Sequence, residues 1–231
     1  MKYKTIFIDL DDTILDTNAI SRESLEELYR DCHFDRFFPT FDDYFAIYMP
    51  NNLKLWKSYR DGSVSKEELI IERMLYPLRP FGIDDTQFAL DLNQNFLHRT
   101  TMKSKLLPHT IDVLEFLHAK YKLYILSNGF EEVQYKKIAN SGLSPFFDGI
   151  VLSDEIGFNK PSPEIFDYAL KKAQTTAKES LMIGDSIEAD ILGARNCNID
   201  QVWCDFGVEE FDDNFEPTYR ITSLLELKII L

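Results

Sequence analysis

Along this chain, short runs of consecutive apolar residues, each ended by polar ones, alternate with longer stretches of helical periodicity. Tyr3 to Asp9 is the first such run, rich in Ile and Phe, and a continuous apolar segment closed by a polar turn reads as a strand buried on both faces. The form recurs at Lys122 to Ser127, Gly149 to Ser153, Ser180 to Asp185 and Gln201 to Cys204. Amphipathic stretches lie between them: Thr110 to Ala119, Glu131 to Ala139 with Ser141-Gly142 as a stop signal, Pro163 to Ala173, and Ile187 to Cys197. The alternation predicts an α/β fold, a Rossmann-like parallel sheet covered by helices on both faces with its functional groups at the carboxyl ends of the strands. Asp9, Ser127 and Asp185 all end such strands.

Residues 17–103 break the rhythm. They are helical in pattern, dense in Phe, Tyr and Trp, and without a clear buried strand. They predict a helical cap domain inserted into a core made of residues 1–16 and 104–231. Most of the cap aromatics, among them Phe37, Phe38, Phe41, Tyr44, Phe45, Tyr48, Trp56 and Tyr59, are expected to pack the cap and its contact with the core. Stacking on a base is the alternative.

Composition narrows the function classes. A chain of 231 residues that is 45% hydrophobic and 13% aromatic can bury a full core. No apolar run approaches the roughly 20 residues that span a bilayer, and Asp9 interrupts the first run before a signal-peptide core can form. A cytoplasmic protein with no membrane partner is therefore expected. The 3 cysteines (Cys32, Cys197, Cys204) are too few and scattered for a disulfide framework or a zinc motif. The 4 histidines (His33, His98, His109, His118) lack paired helical spacing, so a histidine metal site is not expected. A net charge of −14 argues against a nucleic-acid polymer as partner. It also repels small phosphorylated molecules at long range, so a phosphate site here needs local positive charge from a lysine or a metal.

The residues that carry chemistry sit at the strand ends. Asp9 and Asp11 are two apart, so both can project into one cleft while Asp12 points elsewhere. Paired carboxylates either raise one pKa or gather a divalent cation; the run also reads as a solvated turn or a helix cap. Ser127-Asn128-Gly129 offers a hydroxyl and turn amides to phosphate oxygens. Lys160, just before Pro161 and Pro163, supplies the required positive charge, although a lone lysine is ordinarily a surface residue. Gly184-Asp185 ends another strand, with Asp190 about one helical turn onward. Oxygens of Asp9 and Asp185 suit a hard ion such as magnesium, with Asp190 supporting from behind or compensating a helix N-terminus.

Taken in order, Asp9-x-Asp11-x-Thr13, Ser127, Lys160 and Gly184-Asp185-x4-Asp190 resemble the four motifs of the haloacid dehalogenase (HAD) superfamily, with the helical insert placed as in that superfamily's first cap class (C1). True 2-haloacid dehalogenases generally lack the acid at position 11, so Asp11 points to phosphate. A closer resemblance, to the pyrimidine 5'-nucleotidase branch, shows in Leu55-Trp56-x2-Tyr59-x-Asp61-Gly62, Ser127-Asn128-Gly129-Phe130, Lys160-Pro161-x3-Ile165-Phe166-Asp167-Tyr168-Ala169-Leu170, Pro217-Thr218-Tyr219 and Ser223-Leu224-x-Glu226-Leu227.

The resemblance implies a phosphoric monoester hydrolase acting on a small phosphorylated metabolite, a nucleoside 5'-monophosphate first among them. Asp9 would be the nucleophile and Asp11 the acid/base. Mg2+ would be held by Asp9, Asp185 and the Asp11 backbone carbonyl. Ser127, the Asn128 amide region and Lys160 would hold the phosphate oxygens, and Thr13 would tether the turn after the first strand. Cap closure would control water. The rival readings are a sugar phosphatase, a phosphoglycolate phosphatase, a phosphomutase, a 2-haloacid dehalogenase and a noncatalytic phosphate-binding or scaffold protein. A monomer or small homo-oligomer is expected.

Overall fold

Thr5–Ile8 forms β1, and all four of its residues are buried. In the computed structural model, which describes residues 2–207 and 216–231, β1 lies in the middle of a six-stranded sheet. The other strands are β2 (Lys122–Ser127), β3 (Gly149–Leu152), β4 (Ser180–Gly184), β5 (Asp200–Cys204) and β6 (Tyr219–Ile221). The spatial order is β3-β2-β1-β4-β5-β6, and every neighbouring pair is parallel. The chain builds outward from β1 in one direction through β2 and β3, then restarts beside β1 at β4. This reversal makes the carboxyl ends of β1 and β4 the topological switch point, where open parallel sheets place their ligands.

Side chains alternate between the two faces of the sheet. Ile6, Ile8, Leu123, Ile125, Leu181, Ile183 and Val202 form one apolar cluster, while Phe7, Tyr124, Leu126, Val151 and Met182 belong to another on the opposite face. Both clusters are closed by helices, so the expected α/β sheet is the fold of the protein. Each fully buried aliphatic side chain contributes about 1.5–3 kcal/mol relative to exposure.

The chain divides into two compact units, Met1–Thr17 with Ser104–Leu231, and Asn18–Lys103. The second is helical: α1 (Thr17–Asp31, which starts in the first unit), α2 (Phe41–Arg60), α3 (Lys66–Leu75) and α4 (Thr86–Met102). Reciprocal capping boxes, Thr40 with Asp43 and Ser65 with Glu68, start α2 and α3. Phe34, Phe38, Tyr44 and Tyr48 are buried in its core, with Phe37, Phe41 and Phe45 packed against them. Trp56 and Tyr59 meet edge to face at 5.8 Å. Within this apolar interior lies Arg73, only 2% exposed, whose guanidinium packs on Phe96. Its Nε donates to Asn93 Oδ1 at 3.0 Å, and its Nη2 donates to the same oxygen.

In the first unit, α5 (Thr110–His118) and α6 (Glu131–Asn140) bring Val113, Leu114, Leu117 and Ile138 to one face of the sheet. A short α7 (Ser153–Ile156) follows β3, so the expected strand Gly149 to Ser153 stops one residue early. The second face is covered by α8 (Pro163–Ala173) through Ile165, Phe166, Ala169 and Ala173. The helix expected over Ile187 to Cys197 starts instead as a π-helical turn, Ile187–Leu192, before Gly193–Asn196. There Ile191 N–H reaches back to Ser186 O at 3.2 Å, alongside the Asp190 N–H bond to that carbonyl. The wider turn carries the Asp190 side chain inward. Strand β6 was not anticipated, because three residues are too few to show a periodicity.

The cap interior generates one stability test. We expect Asn93→Leu to leave the Arg73 guanidinium buried without its acceptor and to lower stability by about 1–3 kcal/mol, with the Asn93→Leu/Arg73→Met pair recovering most of that loss. Denaturant melts of wild type, Asn93→Leu, Arg73→Met and the double variant measure it; an unchanged midpoint in Asn93→Leu contradicts this account of Arg73.

Candidate active site

Asp9 continues directly from β1, its N–H donating to Ile183 O at 2.9 Å, and the residue is 7% exposed. Oδ1 accepts from Lys160 Nζ at 2.6 Å. The same ammonium donates to Asp190 Oδ1 at 2.6 Å and to Leu126 O at 2.7 Å, which employs all three of its protons. Lys160 is buried with them. Its backbone is held from both sides by one side chain: Asn128 Nδ2 donates to Lys160 O at 2.9 Å, and Lys160 N–H donates to Asn128 Oδ1 at 2.7 Å. The Asn128 side chain therefore sets the loop that delivers the lysine.

Asp185 follows β4. Its Oδ1 accepts from Thr13 Oγ1 at 2.9 Å, so Thr13 reaches across to the second acidic strand end and does more than tether its own turn. Asp190, also buried, takes Lys160 on Oδ1 and the Ser186 N–H on Oδ2 at 3.2 Å. Gly184 permits this approach: a Cβ there would lie 2.2 Å from Asp190 Oδ2. The ligand oxygens of Asp9, Asp185 and Asp190 lie within 4.8 Å of one another. Among the described residues Asp9 and Asp185 each keep one oxygen without a protein donor, whereas both Asp190 oxygens are taken.

Electrostatics follow from this crowding. Burial pushes the Asp9 carboxyl up to about 7; Lys160 opposes the rise, and Asp190 and Asp11 add to it. Burial, then the charges of Asp9, Asp190 and Asp12, hold Asp185 well above the usual carboxylate range. Burial alone would lower Lys160, but Asp190 and Asp9 outweigh it and raise the ammonium pKa. Three carboxylates against one ammonium leave excess negative charge that a divalent cation would offset, and the donors are all oxygens, the set a hard ion such as magnesium takes.

Asp11 has different surroundings. Its Oδ1 accepts from Thr17 Oγ1 and from Lys137 Nζ, both at 2.6 Å, and its Oδ2 accepts from Gln134 Nε2 at 2.6 Å. Burial by itself would raise the Asp11 carboxyl; the Lys137 ammonium, with the Lys137, Thr17 and Gln134 hydrogen bonds, outweighs burial and holds it below the usual range. Gln134 Nε2 also donates to Ser127 Oγ at 2.7 Å, and Gly129 N–H donates to that oxygen at 3.1 Å. With two bonds accepted, Ser127 Oγ keeps its own proton for an outside acceptor. Asp12 takes a left-handed conformation at φ 58°, tolerable for Asp, and its N–H closes the turn onto Leu15 O.

The sequence expectations omitted Thr17, Gln134 and Lys137. The signal available was the spacing of the last two, three residues apart on α6 and therefore on one face, flanked by the core-facing Val133 and Ile138.

The profile of the haloacid dehalogenase-like hydrolases matches residues 3–198. The chain is 32% identical to the Bacillus subtilis protein YfnB; a crystal structure of that protein bound to magnesium superposes with a TM-score of 0.88, covering 100% of this chain and 99% of the other. Identity to the pyrimidine 5'-nucleotidase YjjG of Escherichia coli is 29%, over 100% of this chain and 99% of that relative. For the pyrimidine 5'-nucleotidase PynA of Streptococcus pneumoniae it is 31%, over 98% and 94%. Parallel sheet, strand-end acids and full-length likeness agree: the chain belongs to the haloacid dehalogenase-like hydrolase family.

Proposed function

We propose that this hydrolase is a magnesium-dependent phosphomonoesterase acting on nucleoside 5'-monophosphates through an aspartyl-phosphate on Asp9. The observation that carries it is the pairing of two unlike aspartates. Asp9 is buried against Lys160 with one oxygen free of protein donors among the described residues, while Asp11 two residues on is held by its own cation, Lys137. Environments that push neighbouring carboxyls in opposite directions divide nucleophile from acid/base. The nucleotide class rests on the likeness to YjjG and PynA.

In the first displacement Asp9 Oδ forms a bond to phosphorus as the ester P–O bond breaks, and the departing ribose oxygen keeps the electron pair and takes a proton from Asp11. The anionic substrate raises the Asp11 pKa against the pull of Lys137, which favours loading that proton. In the second displacement water attacks phosphorus, the bond to Asp9 breaks, and Asp11 receives the proton. Ser127 donates its hydroxyl to a phosphate oxygen, and Lys160 keeps Asp9 aligned. Magnesium, when bound by Asp9, Asp185 and the Asp11 carbonyl, supplies charge neutralisation between carboxylate and phosphate.

A substrate panel tests this: uridine, thymidine and adenosine 5'-monophosphates, ribose 5-phosphate, phosphoglycolate, p-nitrophenyl phosphate and 2-chloropropionate, each with magnesium and with chelator. Nucleotides are expected to lead with magnesium and to fall silent with chelator. Faster ribose 5-phosphate or phosphoglycolate turnover overturns the nucleotide class, and chelator-insensitive chloride release would falsify the phosphatase reading. Asp9→Asn should lower phosphate release by about 10³-fold or more with an unchanged melting profile; retained turnover places the nucleophile elsewhere.

Linkage gives a further test. Asp9 keeps its proton up to about pH 7 in the folded protein, whereas an unfolded Asp titrates near about 3.9. The folded state then binds more protons across that window, so stability without metal falls as pH rises from about 4 to about 7. Magnesium competes with those protons, and the Tm gain on adding it should grow between about pH 5 and about pH 8. A gain that is flat with pH contradicts the assignment of Asp9 as a ligand.

A further inference from the structure

The sheet-side face of α6 carries two polar side chains that a helix covering an apolar sheet does not need. Gln134 is 0% exposed and Lys137 is 8% exposed. Burying an amide and an ammonium is unfavourable unless each is matched by partners, and ordering a lysine adds the loss of its rotamer freedom. The partners here are all at the site. Lys137 Nζ meets Asp11 Oδ1 at 2.6 Å, and Gln134 Nε2 is shared between Asp11 Oδ2 at 2.6 Å and Ser127 Oγ at 2.7 Å.

Two further observations show that the arrangement is built for the nitrogen of Gln134. Its Oε1 is buried without a partner among the described residues, so the amide keeps an unmatched acceptor in order to present its donors to Asp11 and Ser127. Gly129 leaves the room: a Cβ at that position would stand 2.2 Å from Gln134 Nε2. A side chain at 129 would therefore displace the Gln134 amide from this position.

We infer that Gln134 and Lys137 are positioning residues, Lys137 fixing the carboxylate of Asp11 and Gln134 tying that carboxylate to the phosphate-binding hydroxyl of Ser127. The inference rests on the roles of Asp11 and Ser127 given under Proposed function. It assigns the two residues different kinetic signatures. Lys137 holds the acid/base through Asp11 Oδ1, so its loss slows both proton transfers of Asp11: protonation of the leaving oxygen, which only an alkyl ester needs, and deprotonation of water in the second displacement, which all esters share. Gln134 touches both groups, so its loss also weakens the hold on phosphate.

The experiment compares the fastest alkyl phosphomonoester of the panel, whose leaving oxygen needs a proton, with p-nitrophenyl phosphate, whose leaving group departs without one. In single-turnover measurements, which read the first displacement, Lys137→Met is expected to slow release of the alcohol from the alkyl ester by about 10²-fold, with the half-saturating substrate concentration within about threefold and release of p-nitrophenol within about fivefold of wild type. Lys137→Arg should restore most of the alkyl-ester rate. Gln134→Leu, which leaves the ion pair in place and tests the coupling independently, should lower the alkyl-ester kcat and raise KM for both esters. Equal losses of single-turnover leaving-group release on the two esters in Lys137→Met, or an unchanged KM in Gln134→Leu, overturn the inference even though the enzyme is a phosphatase. Wild-type protein inert toward both esters overturns the phosphatase reading itself.

Discussion

The site depends on one buried ammonium. Lys160 spends its three protons on Asp9, Asp190 and the Leu126 carbonyl, and without it the carboxylates at the end of β1 and in the turn after β4 would be buried with no ammonium among the described residues bonded to them. Such an arrangement is tolerated only when the partners are held in place, and much of the surrounding sequence serves that end. Asn128 fixes the Lys160 backbone. Gly184 clears the approach of Asp190, and the π-helical turn after β4 aims it. Gly193 lets that segment pack on Phe166 and Pro161, where a Cβ would come within 2.7 Å of the Phe166 ring. The motif positions far apart in sequence are thus parts of one charge-compensation network.

A second lysine makes the chemistry asymmetric. Asp9 and Asp11 are two residues apart on the same strand end, yet burial drives one up to about 7 while Lys137 and its neighbours pull the other below the ordinary range. Lys160 cannot produce that difference alone, because its protons are committed to Asp9 and Asp190. The difference comes from α6, which packs on the face of the sheet that carries Ile6 and Ile8. Fold and mechanism meet at that point: the helix that buries Ile138 into the core also sets the orientation of Asp11.

Much of this was legible in the sequence, and the boundary has physical causes. The buried strands were readable because consecutive apolar residues have few other uses, and Asp9, Ser127 and Asp185 follow from strand ends. Lys160 was readable through its prolines and its place after β3. Gln134 and Lys137 were not, because a polar residue on an amphipathic helix is ordinarily on the solvent side, and only the closeness of Asp11 reverses that reading. Asp190 was legible as an acid one turn beyond Asp185, but its reach to Lys160 depends on a π-helical turn that no local propensity announces. Thr13 was readable as a turn residue, whereas its bond to Asp185 joins β1 to β4 across the sheet and needs the topology.

The commitment of both lysines bears on how an anion could enter so acidic a protein. With a net charge of −14, the chain repels a phosphate until the molecule is within roughly a Debye length of local positive charge. Lys160 has no proton to spare, and Lys137 is paired to Asp11. Ser127 offers one hydroxyl proton, and turn amides add only partial charge. In the proposed mechanism the attraction for the phosphate therefore falls mainly to the cation held by Asp9 and Asp185. Metal and substrate binding are then coupled by the same shortage of free positive charge that the buried acids create.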